Sequence, residues 1–393
     1  MISYCFQAGI DRKTVELFMG TINLGSDILK ITKIEAATIE VPMKKPFRVA
    51  YGTTSVARNI IVYVHGENGL TGIGGTAGPV KVTGDTLASV KYVIDEVLAP
   101  AIVGLDSTDI EKITAVMDGI IVKNTAAKAA VDMALYDLTA KSAGLPLYKL
   151  LGGYKNTLET DYTLGIDEPE IMAREAMELK DMGFKTLKVK VGEEPGKDIE
   201  RIKKIRQAIG NDVKIRLDAN QGWKPKEAIR IIKTLEEYDI ELVEQPVPYW
   251  DIDGLAKVTR SVDVPIMADE ACHTLQDALM LIKKEAVDLI NIKLPKCGGI
   301  FKALQIAHIA ASAGMECMVG CMVETRASIL PAVHLACGVK NITRADLDSA
   351  MYLKEDPVIG GATVENAMFN LSDEPGTGVK TVNIYGNYPE VST

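Results

Sequence analysis

The sequence predicts an α/β protein in two parts, an α+β domain followed by a parallel barrel, and three observations carry that expectation. After Leu151-Gly152-Gly153-Tyr154 short apolar strands alternate with charged amphipathic helices, the texture of a parallel sheet or barrel. Charged residues at the ends of successive predicted strands, Lys190, Asp218, Glu244, Asp269 and Lys293, lie 28, 26, 25 and 24 residues apart, one strand-plus-helix repeat each. The chain of 393 residues is also too long for one small core.

Taken in order, Met1 to about Leu29 has little pattern. Asp11, Arg12, Lys13 and Glu16 break any apolar stretch of the kind a signal peptide needs, so residues 1–29 read as an extension, and Met19 is a second candidate start. Lys30–Pro42 and Asn59–His65 read as strands from their β-branched residues. Lys45–Thr54 between them reads as a mobile loop, and Gly69–Gly78 as a Gly-rich turn with no phosphate-binding helix start behind it. Helices are expected over Thr86–Ala99, Asp109–Met117 and Thr125–Ala143, the last with a narrow face of Ala126, Ala129, Ala130, Met133, Ala134 and Asp137 and a stop at Gly144 and Pro146. The later strands fall at Glu159–Leu164, Thr186–Val191, Lys214–Leu217, Glu241–Val243, Pro265–Ala268, Asp288–Ile292, Glu316–Val319 and Ile342–Ala345, with helices such as Asp198–Ile209 and Pro225–Tyr238 between them. Eight parallel strands joined by helices close into a barrel whose site lies at the C-terminal strand ends.

Composition removes several function classes. A net charge of −9 argues against a nucleic-acid partner. No apolar run reaches the roughly 18 residues of a spanning helix. The six cysteines, Cys5, Cys272, Cys297, Cys317, Cys321 and Cys337, show no paired spacing and suit reduced thiols packed in the core of a cytoplasmic protein.

The strand ends carry the chemistry. Asp218, Glu244 and Asp269 close three consecutive strands, and three hard oxygen donors converging on a barrel mouth suit Mg²⁺ or Mn²⁺. In Thr186-Leu187-Lys188-Val189-Lys190 the two lysines point to one face. Lys190 ends the second barrel strand and Lys293 the sixth, on opposite sides of a ring of eight. A substrate held between them can lose a proton to one lysine and regain one from the other, with inversion at carbon. A divalent ion stabilises the charge that develops next to a carboxylate, and with Lys188 it is expected to depress the pKa of the base lysine.

By these residues the chain resembles the enolase superfamily, in its muconate-lactonising-enzyme subgroup, over roughly Ile31 to Val379. Lys188-x-Lys190, Asp218-x-Asn220, Glu244-Gln245-Pro246, Asp269-Glu270 and Lys293 carry the likeness. It implies a modified TIM barrel, (β/α)₇β, at 154–349, an α+β capping domain with specificity loops at 30–153, a C-terminal segment at 350–393 returning to the cap, Mg²⁺, and a homo-oligomer. Asp346-Leu347-Asp348 is similar to the Asp-x-Asp signature of the dipeptide epimerases, where two acids hold the substrate ammonium and its carboxylate meets the metal. The resemblance also implies that Thr163 and Cys321-Met322-Val323 line the dipeptide pocket, that Lys188 assists there, and that Glu270 and Glu324 orient lysines or serve as structural ion-pair partners. Lys296 reads as a solvated loop charge and Trp223 as a packing residue. His273 follows the fifth strand, and with no histidine from Gly314 to Val323 the His–Asp dyad of the mandelate-racemase branch is absent.

L-Ala-L-Glu is the first substrate the resemblance suggests, with a smaller or hydrophobic second residue as its rival. Where some Ala-Glu epimerases have an arginine in the first capping loop, Tyr51-Gly52-Thr53 offers Gly52, and Lys45, Arg48 or Arg58 are the candidate substitutes. Gly72-Ile73-Gly74-Gly75 departs from the subgroup's Gly-x-Gly-Glu. A cycloisomerase or o-succinylbenzoate synthase on the same scaffold, and a non-catalytic binding barrel, are the alternatives.

Overall fold

Three antiparallel strands open the structure, a computed structural model that describes residues 29–49 and 52–383: β1 (Ile31–Val49), β2 (Gly52–Gly66) and β3 (Thr71–Ala77), in that order. The extension before Leu29, with Cys5 and Met19, and Tyr51 of the capping loop lie outside the described residues. Helices Leu87–Tyr92, Ile110–Ile120 and Thr125–Ser142 follow, the first running on through a π-helical stretch, Val93–Leu98.

Two parts of this region differ from expectation. Lys45–Thr54 is not a loose loop but the end of a long hairpin, in which Phe47 pairs with Thr54, Arg48 with Thr53 and Val49 with Gly52. Its mostly exposed residues hid a strand that leaves the sheet and reaches over the barrel, where only Phe47 and Val49 are half-buried. Gly72 and Gly74 lie within a strand, not a turn, because helix Thr125–Ser142 presses its backbone against them. A Cβ on Gly72 would sit 2.0 Å from the Ala134 carbonyl oxygen, and one on Gly74 2.3 Å from that of Ala130. Glycine in a strand interior marks such a close approach, and the alanine face of the helix is its complement. Gly74→Ala is therefore expected to destabilise the protein by about 1–3 kcal/mol in denaturant titration. Gly119→Ala, in helix Ile110–Ile120 with open space around it, is expected to be neutral or mildly stabilising.

After β4 (Thr157–Glu159) come eight parallel strands: β5 (Tyr162–Leu164), β6 (Thr186–Lys190), β7 (Lys214–Asp218), β8 (Ile240–Glu244), β9 (Ile266–Ala268), β10 (Leu289–Ile292), β11 (Glu316–Gly320) and β12 (Ile342–Asp346). They are hydrogen-bonded in sequence order, and helices Pro169–Asp181, Pro195–Ile209, Pro225–Leu235, Ile252–Thr259, Leu275–Lys283, Ile300–Ser312 and Arg326–Gly338 alternate with them. The sheet is a nearly closed barrel. Asp161 N donates to Ala345 O at 3.3 Å and Leu347 N to Thr160 Oγ1 at 2.9 Å across the remaining seam.

Alternation along each strand sorts the two faces. Leu187, Val189, Ile215 and Leu217 join the core shared with the helices. Buried Arg216, between Ile215 and Leu217, donates to Asp161 Oδ2 at 2.8 Å and Glu241 Oε2 at 2.7 Å, closing the barrel below the site with a paired charge.

The segment after β12 adds β13 (Val358–Gly360), β14 (Thr363–Glu365), β15 (Met368–Asn370) and β16 (Val379–Val382). β15 pairs with β4, and Thr377 N donates to Asp137 Oδ1 at 2.7 Å on the long capping helix. Among the described residues no helix is long and apolar enough to cross a membrane.

Candidate active site

Register brings the charged strand ends to one level. Lys190 pairs with Asp218 and Asp218 with Glu244 across β6, β7 and β8, and Asp269 follows directly on β9. Asp218, Glu244 and Asp269 are at most 2% exposed, and each offers an oxygen within 4.8 Å of the others. This all-oxygen donor set fits a hard divalent ion such as Mg²⁺.

Lysines surround the acids. Lys190 Nζ is 2.6 Å from Asp218 Oδ2 and 3.1 Å from Asn220 Oδ1. Lys293 Nζ is 2.8 Å from Asp269 Oδ2. Lys188 Nζ lies 3.0 Å from Asp218, 2.8 Å from Glu244 and 2.7 Å from Asp346, so it joins the three-acid cluster to the Asp-x-Asp strand end. Lys190 and Lys293 line the cavity at the barrel mouth, and Lys188 sits behind them. β6 and β10 are four strands apart in the ring, so the two cavity lysines face each other.

Burial alone would neutralise all of these groups, and neighbouring charges decide which stay ionised. Burial raises Asp218, but Lys188 and Lys190 outweigh it and hold the carboxyl below its usual range. Burial likewise opposes Asp269, and Lys293 with Lys296 keeps it far below. Glu244 is driven upward by burial and by Asp218. The protein groups by themselves shift Lys293 opposite to the expected depression: burial lowers it, yet Asp269 and Glu244 hold its ammonium well above the usual value.

The cavity is about 390 Å³ and takes its upper wall from the hairpin. The hairpin is held down at three points. Ile166 N donates to Arg48 O at 2.9 Å, the Phe47 ring stacks on Tyr352 with centroids 5.1 Å apart, and Arg48 makes two bonds to Glu193 at 3.1 and 2.9 Å. Thr163, Cys321, Met322 and Val323 line the same cavity with Asp346 and Asp348. Asn59 of β2 fixes the 321–325 loop, donating to Val323 O at 3.0 Å and accepting from Thr325 N at 2.7 Å. Asp348 Oδ2 accepts from Thr163 N at 2.6 Å and from the Tyr352 hydroxyl. Burial and the charge of Asp346 push Asp348 up to about 7, so a cation placed between the two acids would be favoured.

Several residues sit differently from the sequence reading. Lys296 is fully buried, not solvated: its ammonium donates to Asp269 Oδ1 and Asp269 O, and to Asn291 O at 3.1 Å. One helical turn, Leu294–Cys297, carries it back beside Lys293, a relation the spacing of three residues contained. Glu270 accepts from Asn220 Nδ2 at 3.3 Å and so reaches Lys190 only through that amide, while Glu324 accepts from Met322 N at 2.9 Å and braces a loop. Trp223, by contrast, is the packing residue expected, buried with its Nε1 3.4 Å from Asp198 Oδ2, and His273 is held low, at about 4, mainly by burial. The three candidate cations of the capping loop are all paired, Lys45 with Glu175, Arg48 with Glu193 and Arg58 with Glu40. Sequence reasoning named Gln245 only as part of a motif and gave it no role; at φ 37° its side chain accepts from Asp269 N at 2.9 Å and Ala271 N at 3.0 Å. It missed Asn291, which donates to Glu244 Oε1 at 2.8 Å, and the lining residues Tyr352 and Lys81.

Comparison with known proteins gives matching results. Residues 33–152 match the mandelate racemase/muconate lactonizing enzyme N-terminal domain, and 171–383 the enolase C-terminal domain-like family. The chain is 46% identical to the L-Ala-D/L-Glu epimerase of Clostridium acetobutylicum, over 90% of this chain and 99% of that one. It is 50% identical to the hydrophobic dipeptide epimerase of Enterococcus faecalis, over 89% of this chain and 99% of its relative. A crystal structure of the dipeptide epimerase from Enterococcus faecalis, complexed with Mg and the dipeptide L-Leu-L-Tyr, superposes with a TM-score of 0.88 at 49% identity, covering 90% of this chain and 100% of that one.

Proposed function

Because the chain belongs to the mandelate racemase/muconate lactonizing enzyme family, we propose that it is a Mg²⁺-dependent dipeptide epimerase that inverts the α-carbon of the C-terminal residue of L-Ala-L-Xaa dipeptides. The observation that supports this most is one cavity lined by Lys190 and Lys293 from opposite strands and by Asp346 and Asp348.

Asp218, Glu244 and Asp269 would hold Mg²⁺, with Mn²⁺ as an alternative ion. When bound, the ion supplies Lewis acidity toward the substrate carboxylate, whose charge grows as the α-proton leaves. Asp346 and Asp348 grip the dipeptide ammonium and so orient the C-terminal residue between the lysines. One of Lys190 and Lys293, neutral, takes the proton from the α-carbon. The other, as ammonium, returns one to the opposite face, and each proton carried in is matched by one carried out. Lys188 acts from behind, keeping Asp218 and Asp346 ionised. Thr163 and Cys321-Met322-Val323 complete the walls.

Cysteine usage favours a cytoplasmic location, and family resemblance a homo-oligomer. We divide the chain into an extension (1–29), cap (30–153), barrel (154–349) and returning segment (350–393); the Thr377–Asp137 bond supports the return of the last segment to the cap, and the pairing of β15 with β4 ties it to the start of the barrel as well. A cycloisomerase or o-succinylbenzoate synthase would have no use for two acids around an ammonium group.

Incubation in D₂O with Mg²⁺ and an L-Ala-L-Xaa library, read by mass spectrometry and chiral chromatography, tests the proposal. Gain of one mass unit with inversion and without loss of water is expected. Absence of exchange with every dipeptide, with metal binding intact, would overturn it.

A further inference from the structure

One buried carboxylate stands outside the cavity. Asp132, on helix Thr125–Ser142, crosses to the barrel, where its Oδ2 accepts at 2.5 Å from Ile300 N, the first residue of helix Ile300–Ser312. The backbone of Phe301 also favours its charged form. Among the described residues no Lys, Arg or His forms an ion pair with it, and its Oδ1 has no hydrogen-bond partner. The cation that acts on it, Lys302, does so from a distance and is bonded to Asp118 at 2.6 Å. Burial pushes the Asp132 carboxyl up to about 8. A buried acid without a counter-charge is costly, so stability alone does not account for this one.

The bond to Ile300 closes a short segment that begins at Lys293. Lys293 follows β10 and opens the turn Leu294–Cys297, in which Lys296 N at 2.9 Å and Cys297 N at 3.3 Å donate to the Lys293 carbonyl. Gly298 N and Gly299 N then return to Leu294 O at 3.0 and 3.1 Å, with φ of 93° and 115°. Asp132 lies so close to Gly299 that a Cβ there would stand 2.3 Å from Oδ2. The turn is thus held by β10 at one end and by Asp132 at the other. Its two lysines are not equally fixed. Lys296 donates to three acceptors, Asp269 O, Asp269 Oδ1 and Asn291 O. Among the described residues the Lys293 ammonium has one, Asp269 Oδ2, and must leave it to reach a substrate carbon. Its aim therefore depends on the backbone of the turn.

We propose that Asp132 is a positioning residue for Lys293: by holding Ile300 N it fixes the turn that aims the Lys293 ammonium at the α-carbon, on the face opposite Lys190. The inference rests on the epimerase reading and adds a residue to it. A misplacement of about 1 Å in a group that moves a proton costs on the order of 10²-fold in rate. Lys190 stands across the ring on β6, bonded to Asp218 and Asn220, and takes no support from this turn. Loss of the Asp132 bond thus acts on one face of the substrate, whereas a general loosening of the fold would act on both.

The test uses two near-isosteric variants of the full chain, Asp132→Leu, which removes the acceptor, and Asp132→Asn, which keeps one. With saturating Mg²⁺ in D₂O, deuterium gain without inversion is measured for the best-exchanged L-Ala-L-Xaa dipeptide of the library and for its L-Ala-D-Xaa epimer. The epimer that faces Lys293 is the one that Lys293→Ala leaves unexchanged. In Asp132→Leu, exchange of that epimer is expected to fall roughly ten- to a hundredfold, while the other stays within about threefold of the parent. Asp132→Asn is expected to restore most of the loss. Gly299→Ala, whose Cβ would displace Asp132 from Ile300 N, carries the same test should Asp132→Leu fail to fold. Equal loss for both epimers, loss confined to the Lys190 face, or no loss would overturn the role of Asp132 while leaving the epimerase reading standing. Failure of the parent to exchange any dipeptide would overturn both.

Discussion

Lys190→Ala and Lys293→Ala are each expected to abolish epimerisation, with kcat/KM falling roughly 10³- to 10⁴-fold, the contribution of a positioned general acid or base. The two losses should not be equivalent in stereochemistry. With one lysine gone, the other still meets its own face of the substrate, so each variant should exchange solvent deuterium into one epimer and leave the other untouched. The opposite placement of β6 and β10 requires the two variants to be mirror images in this respect. Neither substitution strips its acid bare. Asp218 keeps Lys188 at 3.0 Å, and Asp269 keeps Lys296, so both variants should fold and bind Mg²⁺. Full turnover by either variant, or exchange of both epimers in one of them, would end the two-base mechanism. Chiral chromatography with mass detection separates these outcomes.

Removal of the divalent ion is the second large effect. Chelation is expected to reduce turnover below detection and Mg²⁺ to restore it, because the three acids within 4.8 Å of one another offer the only all-carboxylate cluster of that kind among the described residues. Stability should follow occupancy. An ion that binds only the folded state adds about 2.7 kcal/mol at a hundred times its Kd, so Tm should rise on titration with Mg²⁺. Glu244→Gln should weaken that response while keeping most of the fold, since Asn291 can still bond the side chain and Lys188 retains Asp218 and Asp346. Turnover that persists in the chelated protein, checked metal-free by elemental analysis, would exclude the proposed role of the three acids.

The barrel was legible because its signals are local. A strand of period two followed by a helix of period near 3.6 repeats whatever lies around it, and the spacing of Lys190, Asp218, Glu244, Asp269 and Lys293 reports that repeat directly. Parallel register then carries these residues to one level without further information. The cap was less legible. Gly72 and Gly74 speak for a turn unless the helix that crowds them is known, and the exposed residues of Lys45–Thr54 hide a strand whose partner is its own return.

The sequence by itself determined the order of strands and helices, the acids and lysines at the barrel ends, and the faces they share, because alternation and repeat length are properties of the chain alone. Only the tertiary structure decided the pairing of charges. Lys296 is buried against Asp269 because one helical turn folds it inward, and Lys188 joins Asp218, Glu244 and Asp346 from three different strands. Lys45 and Arg48 of the cap are paired with Glu175 and Glu193 of the barrel, carboxylates distant in sequence. A charge acts through its distance to other charges, and for residues on separate loops that distance exists only once the cap and barrel have packed.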